Sequence, residues 1–383
     1  MTATAEIAVV GLGAAGSAIL EALARRGASV AGFDRFHPPH PFGSTHGRSR
    51  VIREAYYESP VYVPLVQRAY TEWARLEAEG GRRLLTQTGG IMIGAPASEL
   101  VAGARRSAEA HGLPHEVIDA PEIRRRYPVF AVGAGDVGVV EPRAGFLDPE
   151  GCVAACLGLA TRAGARLRLG VQVDRWTRSG SGFRLETSEG PFECGRLVLA
   201  AGPWLPGLIG GAGALSVERQ VMFWFTPRAN PERFRAERCP VFIWEHAPGR
   251  MFYGIPDHGF GFKTAIHHEG QVGVPDAVDR DVSDAEVASI RALLARAIPD
   301  AAGDLVESAV CLYTNTPDHH FVLGPHPAEP GIYLVSPCSG HGFKFASAVG
   351  AVVAESLLDG RSAYDLAPFS PLRLLTATAS GRS

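Results

Sequence analysis

Four apolar residues, Ile7-Ala8-Val9-Val10, end at a glycine and are too few for a helix, which predicts a buried strand. Ala, Leu and Ile then recur at helical spacing to about Arg26, and a second apolar run from Ala28 to Phe33 ends on Asp34. This order predicts a strand, a helix and a strand. Arg196 to Ala201 reads as another buried strand, stopping at Gly202-Pro203-Trp204. Ile332 to Ser336 reads as one more, and an Ala/Val helix follows it to about Leu358, stopped by Gly360. Between these lie shorter alternating segments, Gly89 to Gly94, Gln220 to Thr226 and Met251 to Ile255. One amphipathic helix at about Ser283 to Ala297 follows an Asp/Ser cap cluster and ends before Pro299.

The turn after the first strand is Gly11-Leu12-Gly13-Ala14-Ala15-Gly16. In a strand-turn-helix context Gly11 makes the tight turn, Gly13 lets the backbone approach a pyrophosphate and Gly16 allows close helix packing. Asp34, about 20 residues on, can hold a ribose hydroxyl. The chain therefore binds a dinucleotide. FAD and NAD share this pattern, but a nucleotide domain assembled from early, middle and late segments is a flavoprotein arrangement. The fold class is α/β: a Rossmann-like FAD-binding domain from residues 1–84, 147–217 and 320–370, with a second α+β substrate domain. That second domain takes residues 85–146 and 218–319 and is built on a mixed sheet lying over the flavin; residues 371–383 read as a frayed tail.

Composition narrows the partners. The 383 residues carry a net charge of −3, so no basic field draws the chain to nucleic acid. No apolar stretch reaches the roughly 18 residues of a membrane span, and no basic n-region precedes Ile7, which predicts a cytoplasmic protein. The six Cys show neither CxxC nor zinc spacing, so no metal centre is expected; Cys152 and Cys156, in an apolar helical run, read as packing. Of 37 basic residues all but Lys263 and Lys344 are Arg, and each of these two closes a Gly-Phe-Lys tripeptide. Lysine kept so sparingly marks places that need a compact charge on a flexible stem.

Three motifs occur in order: Gly43-Ser44-Thr45-His46-Gly47-Arg48-Ser49-Arg50-Val51-Ile52-Arg53, Ala309-Val310-Cys311-Leu312-Tyr313-Thr314 and Ser339-Gly340-His341-Gly342-Phe343-Lys344-Phe345. With them the chain resembles the monomeric sarcosine oxidase and N-methyltryptophan oxidase family, from about residue 5 to about 370. The resemblance implies FAD attached through its 8α carbon to the sulfur of Cys311. It implies Arg53 and Lys344 as the grip on a substrate carboxylate, and Lys263 as the cation that speeds reaction with oxygen. His267, Tyr253 and Tyr313 correspond to the substrate-side residues, Arg50, His46 and Ser44 to the flavin side, and Val173, Gly202 and Gly340 to further cofactor contacts. The segment from Gly342 and Phe343 onward would aim a helix N-terminus at the flavin N1 and C2 carbonyl, where reduced flavin carries negative charge.

The activity so implied is oxidation of a small secondary amino acid, N-methyl or cyclic, to its imine, with hydride passing to flavin N5 and O2 reduced to H2O2 by a monomeric enzyme. A biosynthetic oxidase of a cyclic imino acid such as proline or pipecolate, an N-methyltryptophan oxidase, and an amino-acid dehydrogenase using quinone are the rival activities. Three features stay open. His268 adjoins His267, and Arg48 replaces the family's usual acid, placing a base near the flavin edge. Phe223-Trp224-Phe225 and Phe242-Ile243-Trp244 are either core or pocket wall.

Overall fold

A computed structural model describes residues 3–209 and 215–374. Its first sheet has eight strands, with Arg166–Leu169, Val30–Asp34, Ala3–Val10 and Gly190–Leu199 side by side. Gly190–Leu199 is long enough to pair twice along its far edge, with Gly182–Thr187 near its start and with Ile332–Ser336 near its end. Ala3–Val10 is parallel to both of its neighbours, Ile7 standing opposite Val30 and Arg196. Val30–Asp34 and Ile332–Ser336 are buried throughout, which is why they read as unbroken apolar runs. The helix Ala14–Arg25 packs between Pro149–Arg162 and Ala346–Leu358. Gly16 permits its close start, since a Cβ there would lie 1.7 Å from Gly11 O.

The second sheet also has eight strands, in the order Leu305–Asn315, Ser216–Phe225, Phe262–His267, Arg250–Ile255, Val241–Ala247, Gly90–Gly94, Val137–Glu141, Glu116–Asp119. Period-2 alternation splits it into two unlike faces. Phe223, Phe225, Phe242, Trp244, Phe252 and Phe262 pack with Ile290 and Leu294 of the helix Asp284–Ala297. Each such side chain, fully buried, contributes about 1.5–3 kcal/mol. The opposite face carries Met222, Trp224, Ala265 and Cys311, flanked by Tyr253 and Tyr313, and turns toward the nucleotide sheet. A three-stranded sheet of Arg50–Ile52, Gly145–Leu147 and Leu85–Gln87 lies at the junction.

The predicted helix over Ser283 to Ala297 is present as Asp284–Ala297, with Ser283 and Glu286 forming a capping box. The strand predicted from Ile7 starts at Ala3, and the one predicted from Arg196 starts at Gly190. Edge pairing with polar neighbours extends both beyond their apolar cores. Val63–Gly80, Glu99–Ala110 and Ala120–Arg126 are helices that the apolar spacing did not mark. Val63–Gly80 buries Leu65, Val66, Ala69, Tyr70, Trp73 and Leu76 while its outer face is charged. Of the expected tail, residues 375–383 lie outside the described residues. Among the described residues no helix is long and apolar enough to cross a membrane.

Candidate active site and cofactor cavity

One cavity runs from the Gly11–Ala15 turn and Asp34, past Val173 and Ala200–Gly202, to Tyr253, His267, Tyr313 and Gly340 at the second sheet. At its nucleotide end the helix Ala14–Arg25 starts from Gly13, which has no side chain to cap it; the Thr45 hydroxyl accepts the Ala14 amide at 3.2 Å, and the amides of the turn after it face the cavity end where a phosphate would lie. Asp34 is buried and structured from within: Oδ2 accepts the Leu12 amide at 2.8 Å and Oδ1 the Phe36 amide at 2.9 Å. Further along, Ser336 Oγ is buried, lines the cavity and has no protein partner. A buried hydroxyl without a partner is costly, and a polar guest lying along this wall relieves that cost. The helix start, the buried acid and the waiting hydroxyl fit the pyrophosphate, the adenosine ribose and the polar chain beyond them in FAD.

The far wall is set by strand register. Ile243, Tyr253 and Ala265 are successive cross-strand neighbours, Met251 stands opposite His267, and Gln220 opposite Cys311. Alternation thus brings Gln220, Met222, Ile243, Tyr253, Ala265, His267, Cys311 and Tyr313 to the cavity. The aromatic question resolves the same way: Phe223, Phe225, Phe242 and Trp244 face the core, and their sequence neighbours Met222 and Ile243 line the wall.

His267 Nδ1 lies 3.3 Å from the Tyr313 hydroxyl, whereas His268 takes a left-handed turn at φ 58° and pairs through Nδ1 with Glu218 at 3.2 Å. The first ring faces the cavity and the second faces away. Burial, then the nearby His268, His341, Lys344 and Arg53, push His267 well below the usual imidazole range, so it stays neutral. Burial pushes Tyr253 up to about 12 and Tyr313 well up, so both phenols keep their protons. Gly340, at φ 77°, is required here because a Cβ would fall 2.7 Å from both His267 Cε1 and Tyr313 Cε2.

Arg53 and Lys344 converge on the same cavity, and both are buried. Arg53 Nη1 donates to Ala55 O at 2.9 Å, and Nη2 donates to both oxygens of Glu58, at 2.7 and 2.9 Å. Lys344 Nζ donates to His341 O at 2.7 Å and to the Tyr56 hydroxyl at 3.4 Å. His341 in turn must carry its proton on Nε2, which faces His319 O at 3.0 Å, so Nδ1 accepts from Tyr56 at 2.5 Å. Burial, with Arg53 adding to it and Glu58 opposing, pushes Lys344 down to about 7. Glu58 is the anion that a cation at a helix start demands. Sequence reasoning missed it, and no spacing rule marks a glutamate five residues from its arginine on a loop.

Cys311 is buried at the cavity wall, with Arg50 Nη2 3.5 Å from its sulfur and 3.2 Å from Ser44 O. Lys263 lies behind this wall and does not line the cavity. It is fully buried, donates to Gly47 O and Ser49 O at 2.7 Å each, and sits 5.1 Å from the centre of the Trp224 ring. Two residues of the first motif line a second depression. His46 is buried along it on the outer side of the Gly47 turn, kept neutral down to about 3 by burial and by Arg50, Lys263 and Arg280. Arg48 lines that same depression, paired with Glu307 and 4.2 Å from the Phe260 ring centre. A left-handed backbone at Arg48, φ 65°, turns its side chain outward.

Comparison with known proteins agrees with this geometry. The model of the FAD dependent oxidoreductase family matches residues 6–356. The monomeric sarcosine oxidase of Streptomyces avermitilis is 43% identical over 99% of this chain and 100% of its own length. The N-methyl-L-tryptophan oxidase of Salmonella dublin is 32% identical over 95% of this chain and 97% of its own. Among solved structures, the L-proline dehydrogenase of P. horikoshii superimposes with a TM-score of 0.85 at 22% identity, covering 98% of this chain and 99% of that one, and shows the shared fold. Fold, cavity and sequence agree that the chain belongs to the FAD-dependent oxidoreductases, in the branch that contains the monomeric sarcosine oxidases.

Proposed function

We propose that the chain oxidises sarcosine and related small N-methyl or cyclic amino acids, with its FAD tethered covalently to Cys311. The observation that carries the substrate class is the pairing of two buried cations, Arg53 and Lys344, with a neutral imidazole and two protonated phenols across one cavity. A zwitterionic amino acid has matching ends. Its carboxylate takes charge-assisted hydrogen bonds from the guanidinium and ammonium, each worth about 1.5–3 kcal/mol. Its amine lies toward His267, Tyr253 and Tyr313, where a neutral ring and uncharged phenols offer no counter-charge to an ammonium ion and so favour the free base, the reactive form.

Bound FAD supplies the two-electron acceptor for the C–H bond next to nitrogen, and dioxygen takes those electrons away as hydrogen peroxide. The imine product hydrolyses in water, and from sarcosine this yields glycine and formaldehyde. Lys263 is the residue we assign to stabilising negative charge as it develops on dioxygen. Cys311 is the attachment point supported by its burial at the cavity wall, where Arg50 Nη2 lies 3.5 Å from its sulfur.

Acid precipitation followed by peptide mapping tests the tether: flavin mass should stay with the peptide containing Cys311, and colour released to the supernatant would refute it. Peroxide release with sarcosine, proline and N-methyltryptophan tests the substrate class. If none of the three bleaches the bound flavin, the amino-acid oxidase reading fails.

A further inference from the structure

The segment Gly47-Arg48-Ser49 folds back on itself, Ser49 N donating to Gly47 O at 2.7 Å with both Gly47 (φ 101°) and Arg48 (φ 65°) left-handed. Positive φ at a residue as bulky as arginine is uncommon and persists only where neighbours enforce it. Two neighbours do. Glu150, in the first turn of the helix Pro149–Arg162, accepts the Gly47 amide at 2.7 Å and the Arg48 amide at 3.1 Å. From the outer side, the Arg48 guanidinium is paired with Glu307 and laid on the Phe260 ring.

With its amides turned to Glu150, the loop points Gly47 O and Ser49 O the other way, and both accept from Lys263 Nζ at 2.7 Å. An ammonium has three N–H donors. Two are fixed by these carbonyls and the Trp224 ring covers one side, so among the described residues a single N–H is left for a guest. Burial and then Arg50 push Lys263 well below the usual lysine range, and Cys311, Glu150 and Glu307 oppose them.

We infer that Glu150 and Arg48 are positioning residues for Lys263: they hold the left-handed turn whose two carbonyls set where its ammonium points. The arginine that stands in place of the family's acid is thus one arm of a clasp on the outside of the oxygen-side wall. The inference rests on the role proposed above for Lys263, and its test separates the two.

The chain has only two lysines, so holoenzyme grown on lysine labelled with 13C at Cε gives two lysine signals, assigned with Lys344→Met. In Glu150→Ala the Lys263 signal should move while the Lys344 signal stays, and in stopped flow the reduced enzyme should meet oxygen about tenfold more slowly or worse, with flavin reduction by sarcosine nearly unchanged. Glu150→Gln, whose amide oxygen still accepts both N–H groups, should restore most of the rate. Arg48→Ala should move the same signal by a smaller amount, and serves in place of Glu150→Ala should that variant fail to load FAD. An unmoved Lys263 signal in both variants overturns the inference. If Lys263→Met reoxidises like wild type, the role of Lys263 in oxygen reaction fails instead, and the NMR signal alone decides whether the clasp positions it.

Discussion

Replacing Glu58 with Gln tests how the carboxylate grip is kept ready. Arg53 spends both Nη2 protons on Glu58, at 2.7 and 2.9 Å, while its Nε is buried without a partner. Arg53 and Glu58 are nearly out of solvent, with side-chain exposures of 3% and 15%, so their attraction is little screened. A substrate carboxylate entering beside Arg53 meets a resident anion and must share or displace it. Glu58→Gln keeps the shape, removes the competing charge and leaves the local net charge one unit more positive. Freeing one charge-assisted bond is worth about 1.5–3 kcal/mol, or roughly 10- to 150-fold in affinity. The assay is titration of the holoenzyme with a carboxylate that has no amine, such as methoxyacetate, followed by flavin absorbance at pH 6. Tighter binding is expected there, and a smaller gain at pH 8, because Glu58 also helps keep the Lys344 proton on. Weaker binding by the variant at pH 6 would refute the competition and show that Glu58 holds Arg53 in place.

Lys344 is pushed down to about 7, so its positive charge is present below that pH and lost above it; the dissociation constant for the same ligand should rise up to tenfold per pH unit above about 7, and Lys344→Met should flatten the profile. Gly340→Ala puts a methyl group 2.7 Å from His267 and Tyr313 in a left-handed backbone, and flavin reduction by sarcosine should fall by roughly a hundredfold while FAD stays bound, as measured by stopped flow. Asp34→Ala strands the Leu12 and Phe36 amides, at a cost of about 1–3 kcal/mol each, and should yield protein with less FAD and a lower melting temperature; full flavin occupancy would refute the nucleotide-end assignment.

The parts legible in the sequence are those whose cause is local. Glycine spacing at Gly11, Gly13 and Gly16 reflects close contacts within one turn, and the buried strands are continuous apolar runs. Cys311, Lys263 and Lys344 stood out by motif and rarity. The pocket wall was half legible: alternation alone separates Met222 from Phe223 and Ile243 from Trp244, provided the strand is known to have one face on a cavity and the other on a core.

What stayed hidden shares one physical character. The chain from Gly47 to Glu58 carries Arg50 and Arg53 and the carbonyls that hold Lys263, yet little of it is regular structure, so its backbone N–H groups need partners from elsewhere. Glu150 supplies them at Gly47 and Arg48, and buried Glu141 accepts the Glu54 and Ala55 amides at 2.5 and 2.7 Å. Glu58 does for the Arg53 side chain what these two do for the backbone. A carboxylate bonded to amides 86 to 103 residues away has no periodicity and no motif, because the fold, not the sequence spacing, brings the two together. The residues that do chemistry can therefore be intact in a variant whose geometry is not. Substitutions at Glu141 or Glu150 should change rates while leaving every recognisable motif in place.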